Sequence, residues 1–231
     1  MSREHWERHA TNWAAWARRP EDEYWQYGRT FFELAPPPRG RTLEVGCGEG
    51  RVTRDLAKRG HDVVAVDAAS TLIKLAREAD SKNHYLRCDA ARLPFATSSF
   101  DLAVFYNSLM DVDDMEGAVR EAARVLRPGG TMCACVTHPI QDAGRFQSLE
   151  ADAPFVITGD YLGPRRWFEG PAEHDGVTMQ FAGWAYPLSG YFGALERAGF
   201  AIEAVREPQH PVDPHWRRIP LYLMWRAVKT A

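Results

Sequence analysis

The stretch LEVGCGEGR, Leu43 to Arg51, constrains the fold of this chain more than any other. A short apolar run that can close a buried strand leads straight into glycines at positions 46, 48 and 50, and a plausible helix follows over 51–59. Glycine is required where backbone turns sharply, or where a ligand must approach without a Cβ in the way. Strand, glycine turn and helix together make a nucleotide-type pocket above the carboxyl edge of a parallel sheet. Glu44, the last acidic side chain before the turn, can accept hydrogen bonds from a ligand's hydroxyl or ammonium groups. That favours a cationic ligand over a phosphate.

From Arg41 onward the sequence alternates short apolar strands with amphipathic helices, the pattern of a parallel sheet covered on both faces. Strands are expected near 42–45, 62–66, 84–87, 102–106 and 131–136, with helices near 51–59, 70–80 and 115–126. The segment RPGG, Arg127 to Gly130, should stop the last of these helices and turn into the next strand. Residues 138–185 break the alternation. They carry several turn signals, and 165–168 with 177–186 read as an antiparallel pair outside the main sheet. A helix is expected over 187–199, then strands over 201–206 and 221–228.

Residues 1–40 are rich in aromatic side chains. Trp6, Trp13 and Trp16 fall on one helical face, which suits either a helix docked on the domain or a cap with an aromatic face toward a cation. Pro36, Pro37 and Pro38 end this region as a stiff connector. The organisation read from the chain is therefore an N-terminal aromatic helical cap over 1–40, a Rossmann-like domain over 41–137 and 186–231, and an insertion over 138–185 at the ligand-binding edge.

A formal net charge of −3 over 231 residues leaves no electrostatic footprint for nucleic acid or an anionic membrane. No apolar run approaches the ~18 residues of a membrane span, and the first residues lack the apolar core of a signal peptide, so a cytoplasmic setting is expected. Cys47, Cys88, Cys133 and Cys135 lie in or beside expected strands without zinc-ligand spacing, which reads as reduced structural thiols.

A nicotinamide-binding turn would read GxGxxG; here the third glycine comes one residue early and Arg51 follows it, which weakens a dehydrogenase reading. Asp67 closes the run VVAVD, where a carboxylate at the end of a second strand can bind both ribose hydroxyls. Asp89, ending the third strand in YLRCDAARLPF, can accept from an adenine amine while the amide of Ala90 donates to the ring. Tyr106 and Asn107 should emerge from the fourth strand beneath the ligand's reactive end.

These landmarks in order, Glu44 with the glycine turn, Asp67, Asp89 before LPF, and Phe100-Asp101 leading to LRPGG, resemble the class I S-adenosylmethionine-dependent methyltransferases. The resemblance covers residues 41–137 most strongly. It implies a Rossmann-like α/β three-layer sandwich with a seven-stranded, mostly parallel sheet whose last strand is antiparallel. It further implies that Glu44, Gly46, Cys47, Gly48 and Gly50 hold the methionine moiety, that Asp67 takes the ribose with Ala68 against the adenine, and that Asp89 and Ala90 read the adenine edge. Asn107 and Ser108 should line the sulfonium side, with Trp13 of the cap also on the cofactor. S-adenosylmethionine is then the cofactor and S-adenosylhomocysteine its product.

The activity expected is methyl transfer to an oxygen or nitrogen of a small organic molecule, driven mainly by alignment. A cofactor-binding partner without transfer activity and a nicotinamide oxidoreductase are the competing readings. A general base matters only for a protonated nucleophile. His138, just beyond the fifth strand, is the first candidate and Asp111 the second, although the first could be structural and the second a helix cap. Tyr106, Tyr161, Trp167, His174 and Trp184 are the expected substrate contacts, unless the insertion's aromatics form a small core of their own. The cluster Asp111, Asp113 and Asp114 has no further oxygen ligands at family-like positions, so no metal is expected. No nucleic-acid or membrane partner is expected, and the chain reads as a monomer or homodimer.

Overall fold

A computed structural model describes residues 1–19, 23–163, 166–174 and 176–230, and for Arg166 and His174 the backbone alone. Two helices come first, α1 (Ser2–Ala17) and α2 (Glu23–Leu34). The alternating part then runs β1 (Arg41–Val45), α3 (Arg51–Lys58), β2 (Asp62–Asp67), α4 (Ser70–Ala79), β3 (His84–Arg87), β4 (Phe100–Tyr106), α5 (Met115–Val125) and β5 (Leu126–Thr137). Four short or paired strands follow, β6 (Gly144–Phe146), β7 (Phe155–Ile157), β8 (Arg166–His174) and β9 (Val177–Ala185), before α6 (Leu188–Arg197), β10 (Phe200–Arg206) and β11 (Tyr222–Lys229).

Seven strands form one sheet in the order β10-β11-β5-β4-β1-β2-β3. β1, β2, β3, β4 and β5 are mutually parallel, and β11 is antiparallel to both β5 and β10. The chain leaves β1 toward β2 on one side and later returns to its other side with β4. That reversal opens a crevice at the carboxyl ends of β1 and β4.

Because side chains alternate along a strand, a central strand buried on both faces reads as an unbroken apolar run. Val104 and Phe105 of β4 show this directly. Phe105 packs with Leu43, Met132 and Trp225 against α5 and α6, while Val104 packs with Val63, Cys133 and Met224 against α2 and α3. Burying one such large side chain is worth about 1.5–3 kcal/mol, and both layers are closed by whole helices. All four cysteines are free thiols.

The RPGG segment departs from expectation. α5 does stop at Val125, but Arg127 to Gly130 are absorbed into the start of β5 as an outward bulge: Phe100 faces Leu126, and Leu102 already faces Thr131. Gly129, at φ 73°, supplies the left-handed residue the bulge needs.

The β8–β9 hairpin and α1 meet above the crevice. His5 Nε2 lies 2.8 Å from the Gln180 carbonyl oxygen, Asn12 Nδ2 donates to the Thr178 carbonyl at 3.1 Å, and Trp16 meets Phe181 edge-on with centroids 5.3 Å apart. At its other flank α1 sends Glu7 to the first turn of α4, accepting from Thr71 Oγ1 at 2.6 Å and Ser70 Oγ at 3.0 Å. A carboxylate there also opposes the positive end of the helix dipole. None of the helices among the described residues is long and apolar enough to cross a membrane.

Candidate active site

The turn after β1 is shaped by what stands around it. Gly46 has φ 74°, and a Cβ there would overlap Ser108. Gly48 has φ 56°, and a Cβ there would come within 3.0 Å of Trp13 Nε1. Both positions are closed to larger residues on two counts, backbone conformation and space. The amides of Gly46 and Cys47 donate to the Val66 carbonyl at 2.8 and 3.0 Å, so the turn is fastened to the end of β2.

Asp67 tightens that fastening. Its Oδ2 accepts from the Gly48 amide at 2.9 Å and its Oδ1 from the Ala69 amide at 2.8 Å. A carboxylate offers about four acceptor sites, so Asp67 keeps acceptor capacity for a ligand. Burial pushes the Asp67 carboxyl up, and the backbone amides of Ala69, Gly48 and Ala68 pull against it.

Glu44 is buried at the carboxyl side of β1 and accepts from Thr53 Oγ1. Burial pushes its carboxyl up to about 8; the Thr53 bond opposes this, and the charges of Glu49 and Asp67 add to it. An acid in this condition gains from a cationic partner.

At the end of β4 the chain turns through Asn107, a non-glycine residue at φ 48°. Its amide donates to the Cys135 carbonyl at 2.8 Å, yet its buried Oδ1 has no hydrogen-bond partner. Ser108 Oγ donates to the Val45 carbonyl at 2.6 Å. One helical turn on, the Asp111 carboxylate has no hydrogen bond to any described residue. Desolvation first, and the nearby Asp67 charge second, hold it well above the usual carboxylate range. Gly183 of β9 lies over it, where a Cβ would approach Oδ1 to 3.1 Å.

These groups share one cavity of about 1490 Å³. Typical small-molecule pockets hold about 300–1,000 Å³, so this one has room for two ligands side by side. Glu44, Gly46, Cys47, Gly48, Asp67, Ala68, Asp89, Ala90, Asn107 and Ser108 all line it, as do Trp13 of α1, Tyr106 and Asp111. Gly50 lies behind the turn, against the Tyr85 hydroxyl, and supports it from outside the cavity.

Four expected site residues stand elsewhere. His138 is buried away from the cavity; its Nε2 is 2.9 Å from Glu207 Oε1 and its Nδ1 accepts from the Ile140 amide at 3.2 Å, so both ring nitrogens are committed to structure. Tyr161 accepts from the Leu188 amide at 3.0 Å, at the start of α6. Trp167 and Trp184 pack edge to face, 5.1 Å between centroids, and Trp184 Nε1 donates to Asp113 Oδ1 at 3.0 Å. The side chain of His174 lies outside the described residues.

The insertion's contribution comes from the other face of the hairpin. Phe168 pairs with Gly183 and Gly170 with Phe181, so Phe168 and Phe181 share one side while Trp167 and Trp184 share the opposite one. Phe168 and Phe181 line the cavity, together with Trp16, Tyr24, Leu221 and Tyr222 from other parts of the chain. Period-two alternation alone would have separated Phe168 from Trp167; which side faced inward depended on the docking of α1.

Residues 43–134 match a family model described as a methyltransferase domain. A demethylmenaquinone methyltransferase from Roseiflexus sp. is 30% identical over 198 residues, covering 77% of this chain and 82% of that protein. A malonyl-[acyl-carrier protein] O-methyltransferase from Enterobacter lignolyticus is 34% identical over 92 residues, but these are 40% of this chain and only 37% of the relative's length. Among solved structures, an S-adenosylmethionine dependent methyltransferase from Mesorhizobium loti superposes with a TM-score of 0.72 at 26% identity, over 88% of this chain and 97% of that one. The chain belongs to the class I S-adenosylmethionine-dependent methyltransferases.

The cavity suits that cofactor at three independent points. A buried carboxylate in need of a cation stands at the turn, the glycines leave a cradle that a Cβ would fill, and the Asn107 Oδ1 is buried without a partner.

Proposed function

We propose that the protein transfers a methyl group from S-adenosylmethionine to an oxygen or nitrogen of a small organic molecule. The observation that carries this reading is the single cavity that runs from the glycine turn and Asp67 to the unpartnered Asp111 beneath an aromatic cover. When bound, the cofactor supplies a methyl group made electrophilic by a sulfonium. The chain's own task is then to hold, align and keep water out, and alignment can lower a barrier by roughly 7–11 kcal/mol in favourable cases.

In this reading Glu44 and the turn of Gly46 to Gly48 receive the aminoacyl end, with Trp13 above them. The free acceptor sites of Asp67 take the ribose hydroxyls, and Asp89 with Ala90 faces the adenine edge. Asn107 and Ser108 border the sulfur. Residues 41–137 and 186–231 form the cofactor-binding domain; residues 1–40 and 138–185 close over it and select the acceptor. Asp111, rather than His138, is the ionisable group available to the reacting atoms, because it lines the cavity and has no competing partner. Four free thiols support a reducing, cytoplasmic setting.

Incubating the protein with methyl-labelled cofactor and a fractionated small-molecule extract tests the reading. Label is expected in a small-molecule fraction. Binding of S-adenosylhomocysteine with no transfer of label to any fraction would leave a cofactor-binding protein that does not methylate.

A further inference from the structure

The two halves of the cavity differ in what they can accommodate. The glycine turn, Asp67 and Asp89 stand at the ends of β1, β2 and β3; Tyr106 ends β4 with Asp111 beyond it, Tyr222 opens β11 beside Thr137 of β5, and Phe168, Phe181 and Asp142 complete the cavity wall. No lysine lines the cavity among the described residues. Of its arginines, Arg51 is spent on the N-terminal helices, donating to the Ala17 carbonyl at 3.1 Å and lying over the Tyr24 and Trp13 rings at 4.4 and 5.3 Å. Arg87 donates to the Ala68 carbonyl on the β3 side. Arg3 and Arg8 are exposed residues of α1, and the N-terminal ammonium of Met1, which also lines the cavity, is paired with Asp113 Oδ2 at 3.1 Å.

Among the described residues, an anionic acceptor would therefore meet aromatic faces and carboxylates, with the nearest cations already engaged. A cationic one would meet the partner that Asp111 lacks. Burying an acid without a partner is costly, and a ligand ammonium removes that cost while the ring faces favour the same charge.

We propose that the methyl acceptor is an amine carried on a small aromatic or apolar body, and that Asp111 receives its nitrogen. The inference rests on the methyltransferase reading above. An ammonium group entering the chamber gives one proton to the Asp111 carboxylate. The freed nitrogen lone pair forms the new N–C bond as the methyl C–S bond breaks with its electrons staying on sulfur, and the methylated ammonium product carries away the positive charge. Asp111 then returns its proton to solvent.

Calorimetric titrations of 2-phenylethylamine, 2-phenylethanol and phenylacetate, each with and without saturating S-adenosylhomocysteine, test this without relying on turnover. The amine is expected to bind at least tenfold more tightly than either analogue, and Asp111→Asn to erase that preference while S-adenosylhomocysteine binds as before, which also reports that the variant is folded. An alcohol or carboxylate bound as tightly as the amine, no amine binding at all, or an amine affinity untouched by Asp111→Asn would overturn it. Loss of S-adenosylhomocysteine binding in the unaltered protein would instead defeat the methyltransferase reading itself.

Discussion

Glu44 and Asp111 are both carboxylic acids that burial drives above their ordinary range, and both line one cavity, Glu44 at the end of β1 and Asp111 beyond the end of β4. Glu44 sits inside the sheet layer, bonded to Thr53 of the next helix, in a neighbourhood built from residues close in sequence. Asp111 has no such partner among the described residues and lies under Gly183, some distance along the chain, in a neighbourhood assembled from the start of the first helix and the β8–β9 hairpin. The first end is determined by local rules and is made for one ligand. The second depends on how separate segments dock, and that is where members of one fold can diverge in what they accept.

If the cofactor end is as self-contained as this, the largest effect of any single change should fall on Asp67. Asp67→Ala removes the proposed ribose contact and releases the Gly48 and Ala69 amides together, so calorimetry should show S-adenosylhomocysteine affinity falling by about 100-fold or more, given about 1.5–3 kcal/mol for each hydrogen bond to a charged group. An affinity within a few-fold of the unaltered protein would mean that the turn does not depend on β2.

Glu44→Gln should cost less, about tenfold. It also has a signature that no cover residue shares. With its carboxyl near 8, Glu44 is mostly protonated at pH 7 in the free protein and ionises when it meets the ligand ammonium, so binding should release a proton. The binding heat at pH 7 should vary with the ionisation enthalpy of the buffer, and the variation should shrink in the variant. The same raised affinity for protons sets the sign of the stability effect. Between about 4.5 and 8 the unfolded chain gives up a proton that the folded one keeps, so stability falls as pH rises through that window. Glu44→Gln should therefore raise the melting temperature more at pH 8 than at pH 5.

On the other side, Phe181→Ala should lower turnover severalfold and leave S-adenosylhomocysteine affinity within about twofold; equal losses in both would join the two ends functionally. The smallest effect is expected from His138→Gln, with turnover within about twofold and a lower melting temperature from the loss of the Glu207 and Ile140 contacts. A tenfold drop in turnover with unchanged stability would return His138 to the reaction.

The same division explains what could be read from the residues alone. β1 through β5 and their helices were legible because each is fixed by its own apolar pattern and by turns at its ends, and the acids at their carboxyl edges follow from parallel strand order. The bulge at Gly129 was not, since Pro and Gly mark a break without saying whether it lies before or inside a strand. His138 sits at the right edge by sequence, but its ring is captured by Glu207, whose approach depends on the path between β10 and β11. Trp167 and Trp184 were favoured for their size, whereas the hairpin's packing on α1 turns Phe168 and Phe181 inward. Their neighbours' alternation was visible; the choice of face was not.

The most direct test of the two-ended cavity is a structure of the complex with S-adenosylhomocysteine. The amino group of the ligand is expected at Glu44 and the turn, its ribose on Asp67, and its sulfur opening onto the space between Asp111 and Phe181. A ligand whose sulfur faces α4, or whose ribose lies away from Asp67, would contradict that placement.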